Sequence, residues 1–184
     1  MSITIKPLTV EELEQIPNDG NRYEIVGGEL YMSAAPDRRH QEALSELNEV
    51  FQAAARHAKS GKVFFAPVDV RFANDTQVQP DLIYIRTERL SIYRGHVVFG
   101  PPDVVAEMLS PSSRVADQTV KFRLFESGGV LEYWLGDPER RELRLYVLRG
   151  GRYEEIAAEA GRLRSTVIPG LEVDVAGLFA AAFD

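Results

Sequence analysis

Val78-Gln79-Pro80-Asp81-Leu82-Ile83-Tyr84-Ile85 is a mostly apolar, β-branched run. After a loop rich in Arg, Gly and Pro comes a second such run, Asp103-Val104-Val105-Ala106-Glu107-Met108-Leu109-Ser110. Both have the composition of buried strands. Each carries one carboxylate in or beside its apolar stretch, Asp81 and Glu107. An ionised carboxylate is costly to bury alone, so such groups are paired, hydrogen-bonded or bound to a metal. Two acids on adjacent strands would offer an oxygen-rich site suited to a hard divalent cation.

The flanking sequence supplies the rest of an α+β domain. Thr9-Val10-Glu11-Glu12 has the form of a capping box, which predicts a short helix to about Ile16, ended by Pro17-Asn18-Asp19-Gly20. Gly27-Gly28 between residues 22–26 and 29–33 predicts a β-hairpin. Pro36-Asp37 opens a helix to about Lys59, with Ala43, Leu44, Leu47, Val50, Phe51, Ala54 and Ala55 on one face and Gly61 closing it. Residues 63–66, 68–72 and 77–85 read as a β-meander, residues 86–102 as irregular with one helical turn near Glu88, and residues 103–109 as the next strand. A helix is expected over 116–127 with Val120, Leu124 and Phe125 inward, ended by Gly128-Gly129. Strands at 130–135 and 142–147, a β-rich segment and a closing helix from Asp174 complete the chain. No linker, repeat or low-complexity tract interrupts it. One domain over residues 1–184 is expected, with a core at about 37–136, an N-terminal helix and hairpin at 9–33 and a C-terminal β-rich extension at 141–184.

Composition narrows the chemistry. The 184 residues contain no cysteine, which excludes disulfides and thiolate chemistry, and the three histidines are too scattered for a zinc motif. The net charge of −7 argues against holding nucleic acid by bulk electrostatics, but leaves room for a local basic groove. No signal-peptide pattern and no apolar run of spanning length is present, so a cytoplasmic protein is expected, with no membrane partner.

The ordered set of residues resembles the Pro-Asp…(Asp/Glu)-x-Lys nuclease superfamily, PD-(D/E)XK, and more closely the Uma2 family of restriction-endonuclease-like proteins. The residues that carry the resemblance are Arg22-Tyr23-Glu24 with Gly28-Glu29-Leu30, His40-Gln41, Val78-Gln79-Pro80-Asp81-Leu82 and Glu107-Met108-Leu109-Ser110-Pro111-Ser112. Asp117 with Lys121, and Glu132-Tyr133-Trp134 with Asp137-Pro138, extend it, so that it spans roughly residues 9–150. It implies a restriction-endonuclease-like αβββαβ core with a mixed central sheet, decorated by additional β-hairpins. One departure stands out: where the superfamily pattern places Lys two residues after the acid, this chain has Leu109, and Lys121 on the following helix is the substitute amine.

The implied activity is Mg²⁺-dependent endonucleolytic hydrolysis of phosphodiester bonds, most naturally in DNA, with Mn²⁺ able to replace Mg²⁺. Asp81 and Glu107, with the backbone carbonyl of Met108, would ligate the metal. Lys121 would orient the attacking water, and Gln79 would project from the same strand face as Asp81 to help position substrate or water. His40, Glu29 and Glu24 are further candidates as ligands or proton-transfer groups. Arg86, Arg89, Arg94 and Arg114 are candidate phosphate contacts. Each also has an ordinary reading: an arginine partner for Asp81, a solvated helix lysine for Lys121, surface acids for Glu24 and Glu29, a solvated loop for the arginines. His57 and His96 are expected to be structural or exposed, and Tyr133 and Trp134 to be core. The competing function is a nuclease-like fold that binds nucleic acid or protein without cutting, and a third is hydrolysis of a smaller phosphate ester. The hairpins at 22–33 and 142–156 offer edges through which a homodimer could form.

Overall fold

The computed structural model describes residues 8–16, 20–33, 36–110 and 116–183. The expected helix stop at Pro17-Asn18-Asp19, the motif residues Pro111 and Ser112, and Arg114 lie outside the described residues, as does the side chain of Asp117.

The local signals produce the elements they encode. Thr9 caps α1 (Val10–Leu13): the Glu12 N–H donates to Thr9 Oγ1 at 3.3 Å and the Thr9 N–H donates to Glu12 Oε2 at 2.8 Å. Gly27 and Gly28 adopt φ of 59° and 80°, and the turn they form pairs β1 (Arg22–Val26) with β2 (Glu29–Ser33) in the register Val26↔Glu29. In α2 (Arg38–Ala58), Asp37 accepts from the His40 N–H at 2.9 Å, and Ala43, Leu44, Leu47, Phe51 and Ala55 are buried on one face. The C-cap is Lys59 in the left-handed region rather than Gly61. Gly61 is needed for a different reason: a Cβ there would lie 2.3 Å from the Ile85 carbonyl oxygen and 2.7 Å from the Tyr84 ring.

The expected meander is corrected. β3 (Gly61–Phe65) pairs antiparallel with β6 (Leu82–Arg86), while β4 (Asp69–Ala73) and β5 (Thr76–Val78) form a hairpin in a different sheet. The predicted strand 77–85 is therefore two strands, broken at Gln79-Pro80-Asp81. Pro80 has no N–H to donate to a ladder, and the break lets the chain pass from one sheet to the other. The loop after β6 is also more ordered than expected: a 3₁₀ segment (Thr87–Ile92) leads to β7 (Tyr93–Arg94) and β8 (Val97–Phe99).

The central sheet runs β12-β11-β10-β9-β6-β3, where β9 is Val104–Met108, β10 Glu132–Asp137, β11 Glu142–Arg149 and β12 Arg152–Ile156. β9 and β10 are parallel and the remaining pairs antiparallel, which gives the expected mixed sheet. With α2 before it and α3 (Phe122–Gly128) between β9 and β10, the order is the αβββαβ of the resemblance. The second sheet runs β2-β1-β5-β4-β8-β7. A small pair, β13 (Arg162–Arg164) with β14 (Glu172–Asp174), and α4 (Val175–Phe183) close the fold.

Alternation along the central strands sends side chains to two cores. On one face Val104, Ala106, Met108 and Trp134 meet α2 and the C-terminal segment. On the other, Ile83, Ile85, Val105, Leu109 and Tyr133 meet the second sheet and Phe125 of α3. Trp134 and Tyr133 are fully buried, as expected, while His57 and His96 are exposed. No helix among the described residues is long and apolar enough to cross a membrane.

Candidate active site

Asp81 stands at the break before β6, and Glu107 near the end of β9. They belong to neighbouring antiparallel strands in the register Leu82↔Ala106, which sets the two acids side by side. The Asp81 N–H donates to Glu107 Oε2 at 3.2 Å, and the Met108 N–H donates to Asp81 Oδ2 at 2.9 Å. In an antiparallel pair the N–H and C=O of one residue project to the same side, so the Met108 carbonyl also lies on the Asp81 side. Asp81 is 2% exposed and Glu107 1%.

The substitution of Leu109 for the superfamily lysine is resolved by the helix after β9. Glu107 and Leu109 share one strand face, and Leu109 is spent in the core. The amine comes instead from Lys121, the last residue of a π-helical turn (Ala116–Lys121) that leads into α3. Such wide turns recur at functional sites because they re-aim a side chain. Lys121 points inward, 3% exposed, with Nζ 2.9 Å from Glu107 Oε1 and 3.0 Å from Glu24 Oε1.

The β1–β2 hairpin, expected as an N-terminal addition, is part of this cluster. Arg22 and Glu24 lie two apart on β1 and so face the same way. Glu24 accepts from Lys121 and from the Gln79 N–H, the latter at 2.7 Å. Arg22 Nη1 donates to Asp81 Oδ1 at 3.1 Å and to the Gln79 carbonyl at 2.9 Å. Arg22 is the residue that reading the sequence for site chemistry passed over. Its signal was its spacing of two from Glu24 in a strand, legible only once Glu24 is placed at the site.

His40, in the first turn of α2, completes the set: its Nε2 lies 2.9 Å from Asp81 Oδ2. Its Nδ1 is buried and has no hydrogen-bond partner among the described residues. An unpartnered acceptor is tolerated better than an unpartnered N–H, so the network assigns the proton to Nε2, which donates to Asp81.

Electrostatics follow from this arrangement. Burial alone would push the Asp81 carboxyl up. The hydrogen bond and attraction of His40, the Arg22 guanidinium and the Met108 N–H outweigh it and hold Asp81 well below the usual carboxylate range. Burial likewise works against the Arg22 charge, but Glu107, Asp81 and Glu24 raise its basicity above the ordinary value.

The other candidates separate from this centre. The Gln79 side chain does not share a strand face with Asp81, because residues 79–81 are not a strand; its Nε2 donates to Asp69 Oδ1 at 3.2 Å, and it is the Gln79 backbone that holds Glu24 and Arg22. Glu29 is exposed, accepts from the Tyr31 hydroxyl at 2.9 Å and lines a different groove beside Arg123 of α3. The hairpin turn carries it away from the acids. Arg86 and Arg89 sit at the far end of β6 and neutralise Asp103, with Arg89 Nη1 donating to Asp103 Oδ1 at 2.7 Å. The exposed Arg94 donates to the Ser91 carbonyl.

Arg22, His40, Gln79 and Asp81 line an open cavity of about 430 Å³, so buried Asp81 borders space that a ligand can enter. Among the described residues no three His, Asp or Glu side chains form a ready-made metal cage. Two carboxylates, a backbone carbonyl and waters are the donor set Mg²⁺ accepts, so the residues present fit that ion.

The family model of Uma2, described as "Putative restriction endonuclease", matches residues 10–176. A crystal structure of an Anabaena variabilis protein, described as a "putative nuclease belonging to DUF820", superposes with a TM-score of 0.81 at 19% identity, over 96% of this chain and 100% of that one; the likeness establishes the fold. No curated protein matches the chain.

Proposed function

Because the chain belongs to the Uma2 family of restriction-endonuclease-like proteins, we propose that it is a Mg²⁺-dependent endonuclease that hydrolyses phosphodiester bonds in DNA. The observation that carries the reading is the buried triad: Asp81 and Glu107 side by side on adjacent strands, with the Lys121 amine on Glu107. Buried charges of this kind cost stability unless something is gained from them.

Asp81, Glu107 and the Met108 carbonyl would hold Mg²⁺, or Mn²⁺ in its place. When bound, the ion polarises the scissile phosphate and makes a water more acidic. His40 and the Met108 N–H fix Asp81 Oδ2, so that oxygen is oriented before substrate arrives. Lys121 supplies a cation where negative charge grows on the phosphoryl oxygens. In the reaction a water oxygen bonds to phosphorus, one P–O ester bond breaks, and the departing alkoxide takes up a proton.

The competing reading, a nuclease-like fold that binds without cutting, is favoured by one observation. Both oxygens of Asp81 and both of Glu107 are already engaged by protein groups. Calorimetric titration with Mn²⁺, together with cleavage of plasmid DNA, separates the two. The nuclease reading expects binding and cleavage in the parent, and neither in Glu107→Gln. A protein that binds DNA, takes up no Mn²⁺ and never cuts would be the module instead.

A further inference from the structure

Four large hydrophobic residues are exposed among the described residues, and three have ordinary settings. Leu30 and Met32 project from the edge strand β2, and Phe99 is covered by the guanidinium groups of Arg71 and Arg94, 5.6 Å and 5.8 Å from its centroid. Phe65 is different. It ends β3 with 57% of its surface in solvent, and among the described residues it makes no ring–ring or cation–π contact.

Its place gives that exposure meaning. The β3–β6 register sets Phe65 opposite Leu82, the residue after Asp81. The next N–H, that of Ala66, donates to the Asp81 carbonyl at 2.9 Å. Phe65 is therefore tied to the backbone that carries Asp81. The two share the cavity of about 430 Å³, whose other walls include Arg22, His40, Gln41 and Gln79. Alternation along β3 places Phe65 on the face of buried Val63, at the end of α2 where His40 and Gln41 stand. One cavity thus combines a bare aromatic face, a guanidinium, two side-chain amides and the proposed metal-binding acid.

We propose that Phe65 is a stacking platform for an unpaired nucleobase next to the scissile phosphate, so that the substrate is single-stranded or locally opened nucleic acid. The inference rests on the nuclease reading and names its substrate class. A base inside a duplex has both faces covered by its neighbours and cannot offer one to Phe65. An unpaired base can, with its phosphate directed to Asp81 and Arg22. Stacking on an aromatic ring is tolerant of sequence and is compatible with the acidic net charge, because it does not rely on a basic surface.

The test is fluorescence anisotropy of a labelled oligo(dT) strand, and of the same strand annealed to its complement, with Ca²⁺ replacing Mg²⁺ to suppress cutting. The full-length parent is compared with Phe65→Ala, Phe65→Leu and Phe65→Trp. Phe65 lies outside the core, so thermal midpoints are expected to match the parent. The single strand should bind more tightly than the duplex. Phe65→Ala and Phe65→Leu should each weaken single-strand binding about tenfold or more, and Phe65→Trp should preserve it with quenching of the new indole. Parent-like binding by Phe65→Leu, or a parent that prefers the duplex, would overturn the stacking role and leave the nuclease reading standing. A parent that binds neither strand nor duplex would bring down both.

Discussion

The Lys121 ammonium lies 2.9 Å from Glu107 Oε1, reaching from a π-helical turn to a strand 14 residues earlier. The same amine meets Glu24 of the N-terminal hairpin at 3.0 Å. One cation therefore joins three separate elements of the fold, and its loss has structural as well as chemical consequences.

Lys121→Met leaves Glu107 and Glu24 buried without that counter-charge. Breaking a buried pair in this way costs about 3–5 kcal/mol. For a chain of this length the thermal midpoint should fall by roughly 6–20 °C at about 2–4 °C per kcal/mol. Saturating Mn²⁺ should restore part of the loss, because a ligand of the native state at about 100 times its Kd adds roughly 2.7 kcal/mol. Calorimetric melting with and without Mn²⁺ checks both; an unchanged midpoint would place Lys121 outside the buried network.

Arg22 occupies the cationic side of Asp81 and competes with any metal for it. Arg22→Met removes that competitor. Mn²⁺ affinity should rise several-fold while stability falls by about 3 kcal/mol. Isothermal titration beside chemical denaturation reads the two effects, and weaker Mn²⁺ binding would mean that Arg22 orients Asp81 rather than opposing the metal.

The depressed Asp81 pKa makes stability depend on acid. A carboxylate whose native pKa lies below its unfolded value stabilises the fold above the unfolded value, near 3.8 here. That contribution is lost as pH falls through the native value. Urea midpoints should therefore drop below about pH 4. Asp81→Asn, which cannot titrate, should show a shallower decline over the same range. Parallel curves for the two proteins would count against the network around Asp81.

Glu132, a fully buried acid of β10 away from the site, has a structural task. Its oxygens accept from the Trp134 indole, the Ser165 and Thr166 hydroxyls and the Thr166 and Val167 N–H groups. It ties the C-terminal segment to the central sheet. Glu132→Ala strands several donors and should cost about 3 kcal/mol or more. Mn²⁺ affinity per folded molecule should not change, and a loss there would connect Glu132 to the site.

What the sequence determined by itself was everything encoded within a few residues. The capping box at Thr9, the Gly27-Gly28 turn and the 3.6-residue period of α2 are local signals, and each element stands where its signal lies. Asp81 and Glu107 were legible as a pair because a carboxylate in an apolar strand demands a partner. Only the tertiary structure decided who that partner is. The break at Gln79-Pro80-Asp81 sends β5 and β6 to different sheets, a choice made by long-range pairing that no local pattern records. Arg22, Glu24, His40 and Lys121 reach the acids from a hairpin and two helices that meet only when the two cores close. Glu29, five residues from Glu24, is carried away by the turn between them. Strand alternation can tell which face a residue takes, but which faces meet is settled by burial summed over the whole chain.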